Sequence, residues 1–69
     1  MNGAIRKTAR FELHRDSLDN WTIRRFSDGR QVFVSDFRVR QYMGMLGPLI
    51  GAPDDAFDRM MTTDMEKAL

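Results

Sequence analysis

The architecture of this chain turns on fourteen residues, Trp21-Thr22-Ile23-Arg24-Arg25-Phe26-Ser27-Asp28-Gly29-Arg30-Gln31-Val32-Phe33-Val34. Two β-prone runs flank Asp28-Gly29, a dipeptide suited to the centre of a type I′ hairpin turn, where both residues need positive φ. With Asp28 and Gly29 as the turn, Phe26 faces Gln31, Arg25 faces Val32 and Ile23 faces Val34. Upstream, residues 7–14 alternate in the same way and read as a third strand. A five-residue loop over 15–19 sets Leu13 opposite Trp21, Phe11 opposite Ile23 and Ala9 opposite Arg25. One face of this meander then carries Ala9, Phe11, Leu13, Trp21, Ile23, Val32 and Val34. A slip of one residue would send Phe11 and Leu13 to the other side, so hydrophobicity specifies the faces. Arg25 is the exception on that face; at the hairpin end its stem packs while the guanidinium reaches water.

After Val34 the period changes. Ser35 and Asp36 are good N-cap residues, and Val39, Tyr42, Met43 and Leu46 recur at helical spacing. Gly44 weakens this helix, and Gly47-Pro48 ends it. Residues 48–52 form a tight connection that holds Leu49 and Ile50 against the core. A second helix opens at Ala52-Pro53-Asp54-Asp55, with proline at the first helical position and acids facing the positive end of the dipole. Phe57, Met60, Met61, Met65 and Ala68 share one side, with Asp64 an interruption. Asp55 and Arg59 are spaced for an ion pair, and Lys67 lies in the last turn. The expected fold is α+β: a three-stranded antiparallel β-meander followed by two α-helices packed on one sheet face, in the order β-β-β-α-α. It is one small domain over residues 1–69, and the sequence leaves open whether 1–4 are ordered.

Sixty-nine residues leave room for one thin core, because chains this short bury only about 60% of their unfolded surface. With no cysteine and one histidine, neither a disulfide framework nor a zinc cluster is expected. No metal or cofactor is called for. The longest uncharged stretch, residues 41–53, is too short and too rich in glycine and proline to span a membrane. The absence of cysteine and of a secretory run points to the cytoplasm. Catalysis has little support: His14 lacks an oriented partner, and neither a nucleophile elbow nor a phosphate-binding glycine loop is present. The chain reads as a non-enzyme.

Charge is uneven. Residues 1–40 hold nine Lys or Arg against five acids, and residues 41–69 hold two against five. Nine of the eleven basic residues are arginine, whose planar fork suits interfaces. The sheet face opposite the core collects Arg10, Glu12, His14, Thr22, Arg24, Phe26, Gln31, Phe33 and Ser35. Arginines beside Phe26 and Phe33 would grip a partner protein, with a phenylalanine as anchor. Arg38 and Arg40 stand in the first turn of the first helix, where cations oppose the dipole, and an uncompensated break of a local rule marks a candidate site. Such residues, with Gln41, would read DNA bases from a helix-turn-helix, but strands precede this helix.

The functional expectation is therefore a small non-enzymatic intracellular module of inhibitor or adaptor type that occupies a partner protein's surface. Its candidate binding residues are Arg10, Arg24, Phe26, Phe33, Arg38 and Arg40. The alternatives are a nucleic-acid-binding regulator using residues 1–40, or a structural subunit of a larger assembly. A second copy is a further expected partner, through the methionine-rich helices, where Met45, Met60 or Leu49 would be surplus to a monomer's core.

Overall fold

A computed structural model describes residues 3–18 and 20–67. In chain order the elements are β1 (Gly3–Lys7), β2 (Phe11–Arg15), β3 (Trp21–Arg25), β4 (Gln31–Val34), α1 (Asp36–Leu46), a 3-10 turn (Leu49–Gly51) and α2 (Asp54–Lys67). The strands form one antiparallel sheet in the order β1-β2-β3-β4. The α+β class and the meander hold, but the sheet has four strands where three were expected.

The extra strand arises inside the run read as a single strand. The Thr8 amide donates to the Phe11 carbonyl at 2.9 Å, and the Thr8 hydroxyl oxygen accepts from the amides of Arg10 and Phe11 at 3.2 Å each. That hydroxyl in turn donates to Asp58 on α2 at 2.7 Å. A threonine that satisfies two backbone donors reverses the chain there. Ala9, expected on the core face, is consequently exposed in the turn. Gly3 and Ala4 belong to β1; residues 1–2, Asp19 and residues 68–69 lie outside the described residues.

β1 carries a bulge. Ala4 lies opposite His14 and Arg6 opposite Leu13, so one extra residue is accommodated between them. The bulge turns Arg6 toward the helices. Its guanidinium lies 5.7 Å from the Phe57 ring centroid, donates to the Ile50 carbonyl at 2.7 Å and pairs with Asp54. One arginine thus fastens the edge strand to the helical layer.

Both remaining registers differ from expectation by two positions. Leu13 pairs with Ile23 and Phe11 with Arg25, while Ile23 pairs with Val32 and Trp21 with Val34. Arg15, expected in the loop, ends β2 opposite Trp21, with its guanidinium 5.3 Å from the indole centroid. The β3–β4 loop is the four-residue Phe26-Ser27-Asp28-Gly29, closed by Arg25 N–H to the Arg30 carbonyl (2.9 Å) and Gly29 N–H to the Arg25 carbonyl (2.8 Å). Asp28 holds this loop by its side chain. It takes two bonds from the Arg25 guanidinium, at 3.0 and 2.6 Å, and one from the Arg30 amide at 3.1 Å. The Arg25 contact above all lowers the Asp28 carboxyl to a pKa of about 2. Because two is an even shift, every side chain keeps its face.

The core is accordingly built from Phe11, Leu13 and Ile23 on the sheet, Val39 and Tyr42 on α1, Leu49, and Phe57, Met61 and Met65 on α2. Trp21, Val32, Val34, Leu46 and Met60 pack around it, partly buried. Ser35 caps α1, its hydroxyl accepting from the Arg38 amide at 3.1 Å, and Gly47 ends it at φ 73°. Two expectations fail here: Met43 is 45% exposed, and Ile50 turns outward at 80% exposed while Leu49 alone is buried. The Pro53 carbonyl accepts from Phe57 N–H at 3.0 Å, so proline stands one residue before the helix rather than in it. No ion pair joins Asp55 to Arg59 among the described residues. Among the described residues, no helix is long and apolar enough to cross a membrane.

Two glycines make opposite predictions. A Cβ at either Gly29 or Gly44 would meet no atom within 4 Å, so only backbone preference is at stake. Gly29→Ala forces a side chain into the left-handed region (φ 72°) and should lower stability by about 1 kcal/mol. Gly44→Ala, inside α1, should raise it by about 0.5–1 kcal/mol. Urea midpoints moving in opposite directions are the expected readout.

Candidate functional site

The helices cover one face of the sheet, and strand pairing places the other face's residues in rows. Lys7, Glu12, Arg24 and Gln31 form one row; His14, Thr22 and Phe33 form the next. Glu12 stands at the centre of the charge on this face. Its Oε1 lies 3.4 Å from His14 Nδ1 and 3.6 Å from an Arg24 terminal nitrogen. Arg24 also stacks on Phe26 at 5.1 Å from the centroid, and Lys7 approaches the same ring at 5.6 Å. Thr22 is buried at the middle of the face. Phe33 lies beside it, 77% exposed. His14 Nδ1 and Arg24 Nε are buried with no hydrogen-bond partner.

Of the six candidate binding residues, the open face gathers only Arg24, Phe26 and Phe33. The Arg10 side chain does not join them, although the residue's carbonyl accepts the Phe26 amide at 3.0 Å. Arg10 sits in the β1–β2 turn at the end of the sheet, its guanidinium 5.8 Å from the Phe11 ring, and lines a cleft with Asp55, Asp58 and Arg59 of α2. Arg38 turns inward: its Nε and one terminal nitrogen each donate to Asp64 at 2.9 Å, the other terminal nitrogen donates to Gln41 at 3.0 Å, and it stacks 5.2 Å from the Tyr42 ring. Tyr42 donates its hydroxyl to the same carboxylate. The cation at the start of α1 is thus compensated by Asp64, the residue that interrupts the apolar side of α2. Burial pushes the Asp64 carboxyl up, but the bonds from Arg38 and Tyr42 outweigh it and hold it below the usual carboxylate range. Burial, then the bond to Asp64, drives the Tyr42 hydroxyl far above its ordinary value. Arg40 is exposed and pairs with Asp36 one turn away, at 3.3 Å.

Sequence reasoning missed Lys7 and Ile5 as members of the open face. Lys7 pairs with Glu12, and the half-exposed Ile5 alternates outward from Arg6. Both depend on β1, whose bulge leaves no clean alternation to read.

Two grooves border the sheet and the helices. One, about 430 Å³, runs beside β4, with Ile23, Val32 and Val34 as its apolar part and Arg38, Gln41, Asp64 and Lys67 as its polar rim. The other, about 320 Å³, lies between α1 and α2 and is lined chiefly by Met45, Leu46, Ala56 and Met60. Of the residues expected to be surplus to the core, Met45 is 62% exposed and Met60 half-buried, whereas Leu49 is inside. Compared with protein-family models, curated proteins and solved structures, the chain matches none.

Proposed function

We propose that this chain is a non-enzymatic protein-binding module of inhibitor or adaptor type, which docks the open face of its sheet on a partner protein. The observation that carries this reading is Phe33, a large apolar side chain 77% exposed on a face whose neighbouring cations are already stacked or paired. An aromatic anchor beside an oriented arginine is the usual composition of a binding hot spot. Nucleic acid is less well supported. A single-strand platform uses two or three open aromatic rings, whereas Phe26 already carries Arg24 and Lys7, and Glu12 adds negative charge to the face.

The double variant Arg24→Ala/Phe33→Ala tests the proposal. Phe33 contributes little to the core, so the melting temperature should move by only a few degrees, as expected for a change of about 1 kcal/mol in a small domain. A nuclease-treated capture from the native host, with wild type and variant compared by mass spectrometry, should lose its specific partner in the variant. Full retention of that partner would overturn the docking face. In a parallel capture without nuclease, retention that nuclease abolishes and that collapses with salt would favour the regulator instead.

A further inference from the structure

We infer that the free edge of β4 receives an extended, acidic strand from the partner protein. The inference rests on the protein-binding reading and adds the manner of docking and the chemistry of the segment received. β4 is an edge strand, paired only with β3. Arg25 N–H bonds the Arg30 carbonyl, and Arg25 and Arg30 are followed by the pairs Ile23–Val32 and Trp21–Val34. Antiparallel alternation therefore directs the backbone groups of Val32 and Val34 at β3, and those of Gln31 and Phe33 away from it. The edge ends at Ser35, whose carbonyl accepts the Val39 amide at 3.1 Å. What remains is two N–H and two C=O groups, spaced about 7 Å apart from one residue to the other, a pattern matched by an extended backbone.

Charge selects the strand. On the helix side, the groove beside β4 offers Val32 and Val34 with two cations, Arg38 and Lys67, against one carboxylate, Asp64. That carboxylate is bonded by Arg38 and Tyr42 and also attracts the Lys67 ammonium, so the two cations leave the groove with one positive charge in excess. On the open side, Phe33 is exposed next to Thr22, and Gln31 lies beside Arg24. Side chains of an incoming strand alternate between these two environments. Those facing the helices meet Lys67 and are acidic; those facing outward lie along Phe33 and are aliphatic. A second copy pairing through its own β4 brings Gln31-Val32-Phe33-Val34, which has no acid to offer Lys67.

The test uses a fluorescein-labelled peptide of alternating glutamate and valine, with its lysine–valine counterpart as control, titrated by anisotropy against the full chain. The glutamate peptide should bind and the lysine peptide should not, and on binding the amides of Gln31 and Phe33 should gain protection from hydrogen exchange. Gln31→Pro removes one outward donor without touching the β3–β4 ladder, a placement that edge strands tolerate, and should weaken binding about tenfold. Lys67→Glu, at an exposed helix end, should weaken it comparably and provides a second variant independent of backbone change. Absence of peptide binding, equal binding of the lysine peptide, or protection at the α1–α2 groove would each overturn the inference. So would self-association that protects the same two amides without peptide, or displacement by a uridine oligonucleotide. If the captured partner survives Gln31→Pro and Lys67→Glu but is lost in Arg24→Ala/Phe33→Ala, strand addition falls while the protein-binding reading stands.

Discussion

The Phe57→Ala variant should lose about 3–5 kcal/mol, a third or more of the stability a chain of this length can hold. Phe57, on α2, is fully buried in the core cluster, and its ring is the surface on which Arg6 rests. Truncating such a side chain costs about 3–5 kcal/mol, through lost burial and the cavity left behind. A chain of this length has only roughly 3–10 kcal/mol of stability in total, at about 0.05–0.15 kcal/mol per residue. The loss also removes the seat of the arginine that holds β1 to the helices. Circular dichroism on heating should show a transition far below that of wild type, or none. Phe33→Ala, a deletion of the same atoms from an exposed site, should leave the transition nearly in place. Equal effects at the two positions would contradict the assignment of the sheet's faces.

Asp64→Ala is expected to cost about 2–3 kcal/mol, less than the 3–5 typical of a fully buried pair because Arg38 keeps a quarter of its side chain in solvent. The variant leaves the Arg38 guanidinium and the Tyr42 hydroxyl without their shared acceptor, so the cost is chiefly that of stranded donors. Arg38→Met/Asp64→Leu, which removes both charges, should be more stable than Asp64→Ala alone. A double-mutant cycle should return a coupling of about 1–3 kcal/mol. The pH profile follows from the directions of shift. Asp64 is more acidic folded than unfolded, so its contribution is present above the unfolded value near 4 and is lost as pH falls through the folded one. Tyr42 is less acidic folded than unfolded, so its contribution is present below about pH 10 and declines as pH rises beyond that. Chemical denaturation across pH should show a shallower acid limb in Asp64→Ala. It should not be flat, because Asp28, and more weakly Asp16, also titrate below their ordinary values when folded.

How far the amino-acid order reveals this molecule depends on whether the deciding contact is periodic or singular. The faces of β2, β3 and β4 were readable because alternation survives an even register shift, even though Leu13 pairs with Ile23 and not with Trp21. The shift itself was hidden. Asp28-Gly29 looks like a two-residue turn, but Arg25 and Arg30 draw the Asp28 carboxylate into a longer loop that needs only one left-handed residue. β1 was invisible because its reversal is made by a single threonine hydroxyl and its bulge inverts the pattern of Ile5 and Arg6. The Arg38–Asp64 pair showed itself only as two separate anomalies, a cation at a helix start and an acid in an apolar stripe. Nothing local connects residues 26 positions apart. On the open face, Arg24 and Phe33 were legible from parity alone, whereas Arg38 was drawn to Asp64 on α2 and Arg10 fell in the turn made by Thr8.

The two flanks of the sheet are unlike. At β4 an arriving backbone finds an in-step ladder, while at β1 it finds one thrown out of step by the bulge and tethered through Arg6. Lateral growth would therefore have a beginning at β4 and an obstacle at β1, where a bulge is one of the devices that blunt a sheet edge.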